Sequence, residues 1–166
     1  MTLDSIRAGV QTGSETKLLL DYARSQGFAY PAVNVVNTNS VNAALEAAAT
    51  VGSPIIVQIS NGGATAFLGK SVKLDSHQGL GTAVLGSVAA AQYVHTVAES
   101  YGVPVILHTD HAAKNLLPWI DGLLDASEAF YKETGKSLFS SHMIDLSEEP
   151  LEENIEICKE YLKRMS

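Results

Sequence analysis

Cysteine is nearly absent from the 166 residues: Cys158 is the only one. A lone cysteine makes no internal disulfide and no cysteine-based zinc cluster, and a reducing compartment suits it best. Basic residues are also scarce. There are 11 Lys and Arg against 18 Asp and Glu, a formal net charge of -7. That balance argues against a nucleic-acid or anionic-membrane partner, since both need clustered positive charge. It leaves room for a phosphorylated small molecule held by a local pocket. No uninterrupted apolar run is long enough to span a bilayer. Residues 1–5 are not a basic segment leading into an apolar one, so no secretory signal is legible. Low-complexity segments and charge blocks are missing too. What is present is 46% hydrophobic residues, enough to bury one core. One domain over 1–166, soluble and cytoplasmic, is the expectation.

Short apolar strands followed by amphipathic helices recur along the chain. Residues 29–36 read as a strand, and Thr38, Asn39 and Ser40 then offer N-cap oxygens. Val41, Ala44, Leu45, Ala48 and Val51 follow at helical spacing, stopped by Gly52. Residues 54–60 form a second strand rich in β-branched side chains. A Gly-rich connection is expected over 61–82. Val84, Val88, Ala91, Val94 and Ala98 then mark a helix closed by Gly102. Residues 103–110 are a third strand, followed by a helix carrying Leu116, Trp119, Ile120, Leu123 and Leu124. Residues 139–146 are a fourth strand. Pro150 opens a last helix with Leu151, Ile155, Cys158 and Leu162 on one face. Ahead of all these, a helix over 15–25 has Thr12 and Glu15 at capping-box spacing and Gly27 at its end.

Four β-α units in a row imply an α/β protein with a parallel sheet and right-handed crossovers. A doubly wound open sheet and part of a (β/α)8 TIM barrel both fit that alternation. Side-chain parity favours the barrel. Ile55, Val57 and Ile59 share one face of their strand, leaving Ile56, Gln58 and Ser60 on the other. Val105 and Leu107 likewise oppose Ile106, His108 and Asp110, and Asn34 lies between Val33 and Val35. Polar groups therefore gather at the C-terminal ends of all the strands, where barrel enzymes keep their chemistry. An open sheet concentrates it at one switch point. A full barrel needs about 250 residues, so this chain is expected to supply the first four β-α units, a half-barrel with an N-terminal helix. Such a half leaves two sheet edges and an apolar inner face uncovered.

Three segments carry chemistry. In residues 105–111, His108, Asp110 and His111 put a carboxylate between two imidazoles at the end of a buried strand. Imidazole ligates zinc and a carboxylate moves protons; the plainer role is a hydrogen-bonded strand cap. In residues 58–64, Ser60 precedes Asn61, Gly62 and Gly63. Backbone N–H groups there suit a phosphate or hydroxyl, or only an ordinary turn. In residues 140–146, Asp145 ends a strand whose interior tolerates no bare charge, and it reads equally as a turn or cap carboxylate. Asn34 alone reads as a satisfied interior group. His77 and His95 carry no signal, and Trp119 reads as packing.

Taken together, these stretches resemble class II, zinc-dependent fructose-bisphosphate aldolases of the longer subgroup. The likeness runs through residues 30–34, 54–63, 102–111, 114–124 and 138–149, and the His108-Thr109-Asp110-His111 block is the family's signature. Ala112 stands where relatives often carry cysteine. The resemblance implies reversible cleavage of fructose 1,6-bisphosphate to dihydroxyacetone phosphate and glyceraldehyde 3-phosphate. It implies His111 as a ligand of a catalytic zinc and Asp145 as a ligand of a second divalent-metal site. It implies Asp110 as the proton donor and acceptor, Ser60 as a substrate contact, and Asn34 as a more distant group on the substrate-binding side. His108 is not assigned to the metal. The complete enzyme is expected to be a homodimer. The family's later glutamate-rich strand, two further zinc histidines and second-phosphate loops find no match in these 166 residues. The chain alone is therefore expected to have weak activity or none. Two other readings stand beside this one. The chain could be a non-catalytic half-barrel pairing with itself or with a C-terminal half, or it could belong to a tagatose-bisphosphate aldolase.

Overall fold

A computed structural model of the chain describes residues 6–166. Its centre is a pair of parallel strands, β3 (Ile55–Ser60) and β4 (Pro104–Ala112), as numbered in chain order. They run in register from Ile55 opposite Val105 to Ser60 opposite Asp110. β2 (Ala32–Asn34) pairs with the outer edge of β3, with Asn34 opposite Gln58. The other edge of β4 is shared by two strands. β1 (Gly9–Val10) takes its beginning, and β5 (Ser141–Ile144) takes its end. Ser140 joins them where one gives way to the other. Its N–H donates to the Leu107 carbonyl at 2.8 Å and its hydroxyl to the Gln11 carbonyl at 2.6 Å. All these pairings are parallel.

The alternation read from the sequence holds. Ile55, Val57, Ile59, Val105 and Leu107 are all buried. They face α2 (Thr38–Val51), α4 (Gly81–Val97) and α5 (Leu117–Thr134), which contribute Leu45, Ala91, Trp119 and Leu123 to the same core. Each large aliphatic side chain so buried contributes about 1.5–3 kcal/mol. Trp119 places its indole N–H on the Ser87 hydroxyl at 3.0 Å, so its one polar atom is satisfied.

Several local expectations are corrected. A short strand, β1, precedes everything and was not foreseen: two residues give too little periodicity to read. The helix at the start, α1 (Ser14–Gln26), has Gly13 at its N-cap and no side-chain cap. Glu15 is taken by Arg7 instead, in a two-pronged pair at 2.8 and 2.9 Å. α1 also covers part of the inner face expected to be bare. Its Leu19 and Ala23 pack with Tyr30 against Ile106 and Ile56, near the strands' N-terminal ends. The cap of α2 is Asn37, one residue before those proposed. Asn37 Oδ1 accepts from Ser40 N–H at 2.8 Å, and Ser40 Oγ accepts from Asn37 N–H at 3.1 Å.

The Gly-rich connection is not wholly a loop, since α3 (Asn61–Leu68) starts directly at the end of β3. Glycines cost a helix about 1 kcal/mol each. Here Gly63 permits close packing: a Cβ on it would lie 3.0 Å from the Val35 carbonyl oxygen. A 3-10 turn at Ala98–Tyr101 follows α4, and another at Lys114–Leu116 leads into α5. After β5, α6 (Leu151–Met165) closes the described chain, with Glu152 and Glu153 in its first turn and Lys163 and Arg164 in its last, as its dipole favours.

Candidate active site

The C-terminal ends of β2, β3 and β4 carry Asn34, Ser60 and Asp110, and Asp145 follows β5 by one residue. Register brings them to one rim, because Ser60 is the partner of Asp110 across β3 and β4. Asn34 donates from Nδ2 to Asp110 Oδ2 at 2.9 Å, spanning from β2 over β3 to β4. His111 Nε2 lies 3.8 Å from Asp110 Oδ1, and His111 Nδ1 lies 2.8 Å from Asp145 Oδ2. The expected residues thus form one chain of contacts, Asn34 to Asp110 to His111 to Asp145. Ser60 stands beside it as the N-cap of α3, its hydroxyl oxygen accepting from Gly63 N–H at 3.1 Å.

His111 reaches this rim through an irregularity that periodicity does not reveal. Strict alternation would send it to the opposite face from Asp110. Between Thr109 and Ala112, however, β4 takes three steps while β5 takes two, from His142 to Ile144. His111 absorbs the extra residue with φ of 43°. A left-handed conformation in a non-glycine residue costs on the order of 1–3 kcal/mol and collects at functional sites. Bulges re-aim side chains in the same way.

The charges follow the contacts. Asp145 is held down at about 2, first by the His111 hydrogen bond and then by Ser147. Ser147 gives it both a backbone N–H at 3.2 Å and a hydroxyl at 2.7 Å, each to Oδ1. His111 is raised above its ordinary value, chiefly by the same Asp145 bond. Below the rim, His108 Nδ1 meets Ser141 Oγ at 2.8 Å and burial lowers its pKa. The half-buried His142 meets Thr109 Oγ1 at 2.8 Å and is pushed down to about 4, by burial first and His108 second. Both rings are neutral near pH 7 and tie β4 to β5.

Ser147 was missed in the sequence. Its signal was there, because an aspartate accepting from the N–H two residues on is a common turn device. The bulge left no such trace.

The family profile described as "Fructose-bisphosphate aldolase class-II" matches residues 14–166. The chain belongs to that family. The chain is 60% identical over 163 residues to the fructose-bisphosphate aldolase class 2 of Escherichia coli K12, covering 98% of itself and 45% of that relative. It is 51% identical over 164 residues to the fructose-bisphosphate aldolase of Borreliella burgdorferi, again covering 45% of it. The crystal structure of the Campylobacter jejuni fructose-bisphosphate aldolase superposes with a TM-score of 0.91 at 54% identity, over 98% of this chain and 45% of that one. The chain thus spans about half the length of the relatives it matches, and its fold is a partial, TIM-barrel-like half of theirs.

The rim offers a metal one imidazole nitrogen. His111 keeps Nε2 free of any protein hydrogen bond within the described residues, since its contact there is to Nδ1. Among the described residues no group of three His, Cys, Asp or Glu converges to hold a metal, whereas catalytic zinc takes three protein ligands. No described helix is long and apolar enough to cross a membrane.

Proposed function

We propose that this aldolase chain supplies the acid–base side of a class II fructose-bisphosphate aldolase site, as a single partial barrel domain over 1–166. The observation that carries the reading is the Asn34–Asp110 hydrogen bond on a rim shared with Ser60 and His111. With one carboxylate oxygen engaged by Asn34, the other is left toward the space beside His111. There Asp110 takes the hydroxyl proton of the aldehyde half of fructose 1,6-bisphosphate as the carbon–carbon bond breaks. The aldehyde forms, and the electron pair passes to the ketone half. In the reverse direction Asp110 returns that proton. Positioned acid–base groups of this kind contribute about 10²–10⁴-fold.

Ser60 and Asn34 are the substrate-side polar groups, and the first turn of α3 turns its N-terminus toward the rim, where a phosphate is favoured. His111 is one zinc ligand through Nε2, in company with ligands outside the described residues. Zinc bound there supplies Lewis acidity toward the ketone oxygen. Asp145 serves a second divalent metal through Oδ2, which accepts one hydrogen bond from His111 and keeps a second lone pair, while Oδ1 takes both bonds from Ser147. A cytoplasmic setting and a homodimeric complete enzyme belong to the same reading. With at most a corner of the metal site, the 166 residues alone turn over weakly or not at all.

The test is a chimera in which this chain replaces the corresponding stretch of the Escherichia coli relative. Coupled assay of fructose 1,6-bisphosphate cleavage should give turnover that a chelator abolishes. A folded, zinc-loaded chimera without turnover counts against the reading.

A further inference from the structure

We propose that Ser147 is a positioning residue for the metal-facing nitrogen of His111, acting through Asp145. Its importance for metal binding rests on the aldolase reading above; the positioning itself does not.

Asp145 follows the last residue of β5 and leads into the turn before α6. A carboxylate in such a place swings easily, because its terminal torsion is broad. Ser147 removes that freedom by giving Oδ1 two hydrogen bonds, from its backbone N–H at 3.2 Å and its hydroxyl at 2.7 Å. The opposite oxygen, Oδ2, is then aimed at His111 Nδ1 at 2.8 Å. An ionised carboxylate only accepts, so the proton of that bond sits on Nδ1. Neutral His111 is therefore fixed as the Nδ1–H tautomer, with its lone pair on Nε2. That nitrogen is on the side of Asp110, 3.8 Å from Oδ1. Carboxylates placed behind ligating histidines orient them in this manner. The support is needed more here than in most strands, since His111 sits on a bulge with φ of 43° and keeps 60% of its side-chain surface exposed. Neither backbone regularity nor packing would hold the ring.

The experiment uses the 166-residue chain itself, labelled with nitrogen-15, without metal or substrate. Long-range proton–nitrogen correlation spectra at about pH 9, where imidazoles are neutral, report the tautomer of each histidine ring. The wild-type His111 ring is expected as Nδ1–H. Ser147→Ala should shift it toward the Nε2–H form that an unconstrained imidazole prefers, with Ser147→Gly as a second hydroxyl deletion at this exposed position. Ser147→Thr, which keeps the hydroxyl, should restore the wild-type spectrum. A role confined to holding the turn would leave the ring signals unmoved. A wild-type ring in the Nε2–H form, or variants whose ring is unchanged, would overturn the proposal. Because no metal enters the measurement, its failure and the failure of the chimera assay are separately visible.

Discussion

His142 shows how a single side chain couples this fold to pH. Its pKa is about 4 in the folded chain against an ordinary 6.5, chiefly because burial disfavours the imidazolium. The unfolded chain therefore binds more protons between those values. Stability is fully present above about pH 6.5 and is lost as pH falls toward 4, by at most about 1.4 kcal/mol per pH unit for one such group. His108 and His95, both lowered by burial, act with the same sign, and His111, raised by Asp145, acts against it. Urea unfolding at a series of pH values should show the slope, and His142→Asn should reduce it by about one proton. Most residues of the rim were legible as letters: Asn34, Ser60, Asp110, His111 and Asp145 all stand at strand ends that parity and the family likeness marked. What was not legible was who holds whom. The Asn34–Asp110 bond crosses an intervening strand, and its partners are 76 residues apart. No local pattern encodes such a contact.

At the scale of elements, periodicity succeeded where an element buries a regular face and failed where backbone chemistry decides. α5 and β3 matched their apolar pattern because Trp119, Leu123, Val57 and Ile59 are buried at the expected spacing. The caps of α1 and α2 were misplaced because several Ser, Thr and Asn residues compete at each helix start, and a salt bridge to Arg7 removed Glu15 from contention. α3 was hidden by Gly62 and Gly63, and the glycine that lets it pack closely on its neighbour is Gly86 of α4. At Gly86 of α4 an added Cβ would fall 2.0 Å from the Ala64 carbonyl oxygen. Because the obstacle is backbone, it cannot turn aside as a flexible side chain would. Gly86→Ala should destabilise by about 3 kcal/mol despite alanine's better helix propensity. Chemical denaturation checks this; an unchanged or raised midpoint would mean that α3 and α4 are not packed as described.

The described residues form a half-barrel in which α6 is not fully covered. Leu151, Ile155 and Leu162 of α6 are 69%, 43% and 64% exposed, on the face read from the sequence as apolar. The opposite side is engaged, with Tyr161 on Asp121 at 3.0 Å and Arg164 on Glu128 at 3.0 Å, both residues of α5. An exposed stripe of this kind marks an association surface or an aggregation liability. The 166-residue chain by itself should therefore sediment with concentration-dependent mass and bind an apolar dye. An Ile155→Gln, Leu162→Gln double variant should weaken both. A monodisperse monomer that binds no dye would contradict this. The barrel-like curvature itself was inferred from polar groups at every strand end, and the superposition on a longer relative supplies what four β-α units could not.

The proposed chemistry of the rim turns on Asp110 handling the substrate proton. The direct measurement is the kcat for fructose 1,6-bisphosphate cleavage by the chimera with the relative's remaining length, set against its Asp110→Asn variant. A loss of about 10²–10⁴-fold in kcat, with the fold and zinc content unchanged, is the predicted result. A variant that retains most of the parent turnover would contradict it.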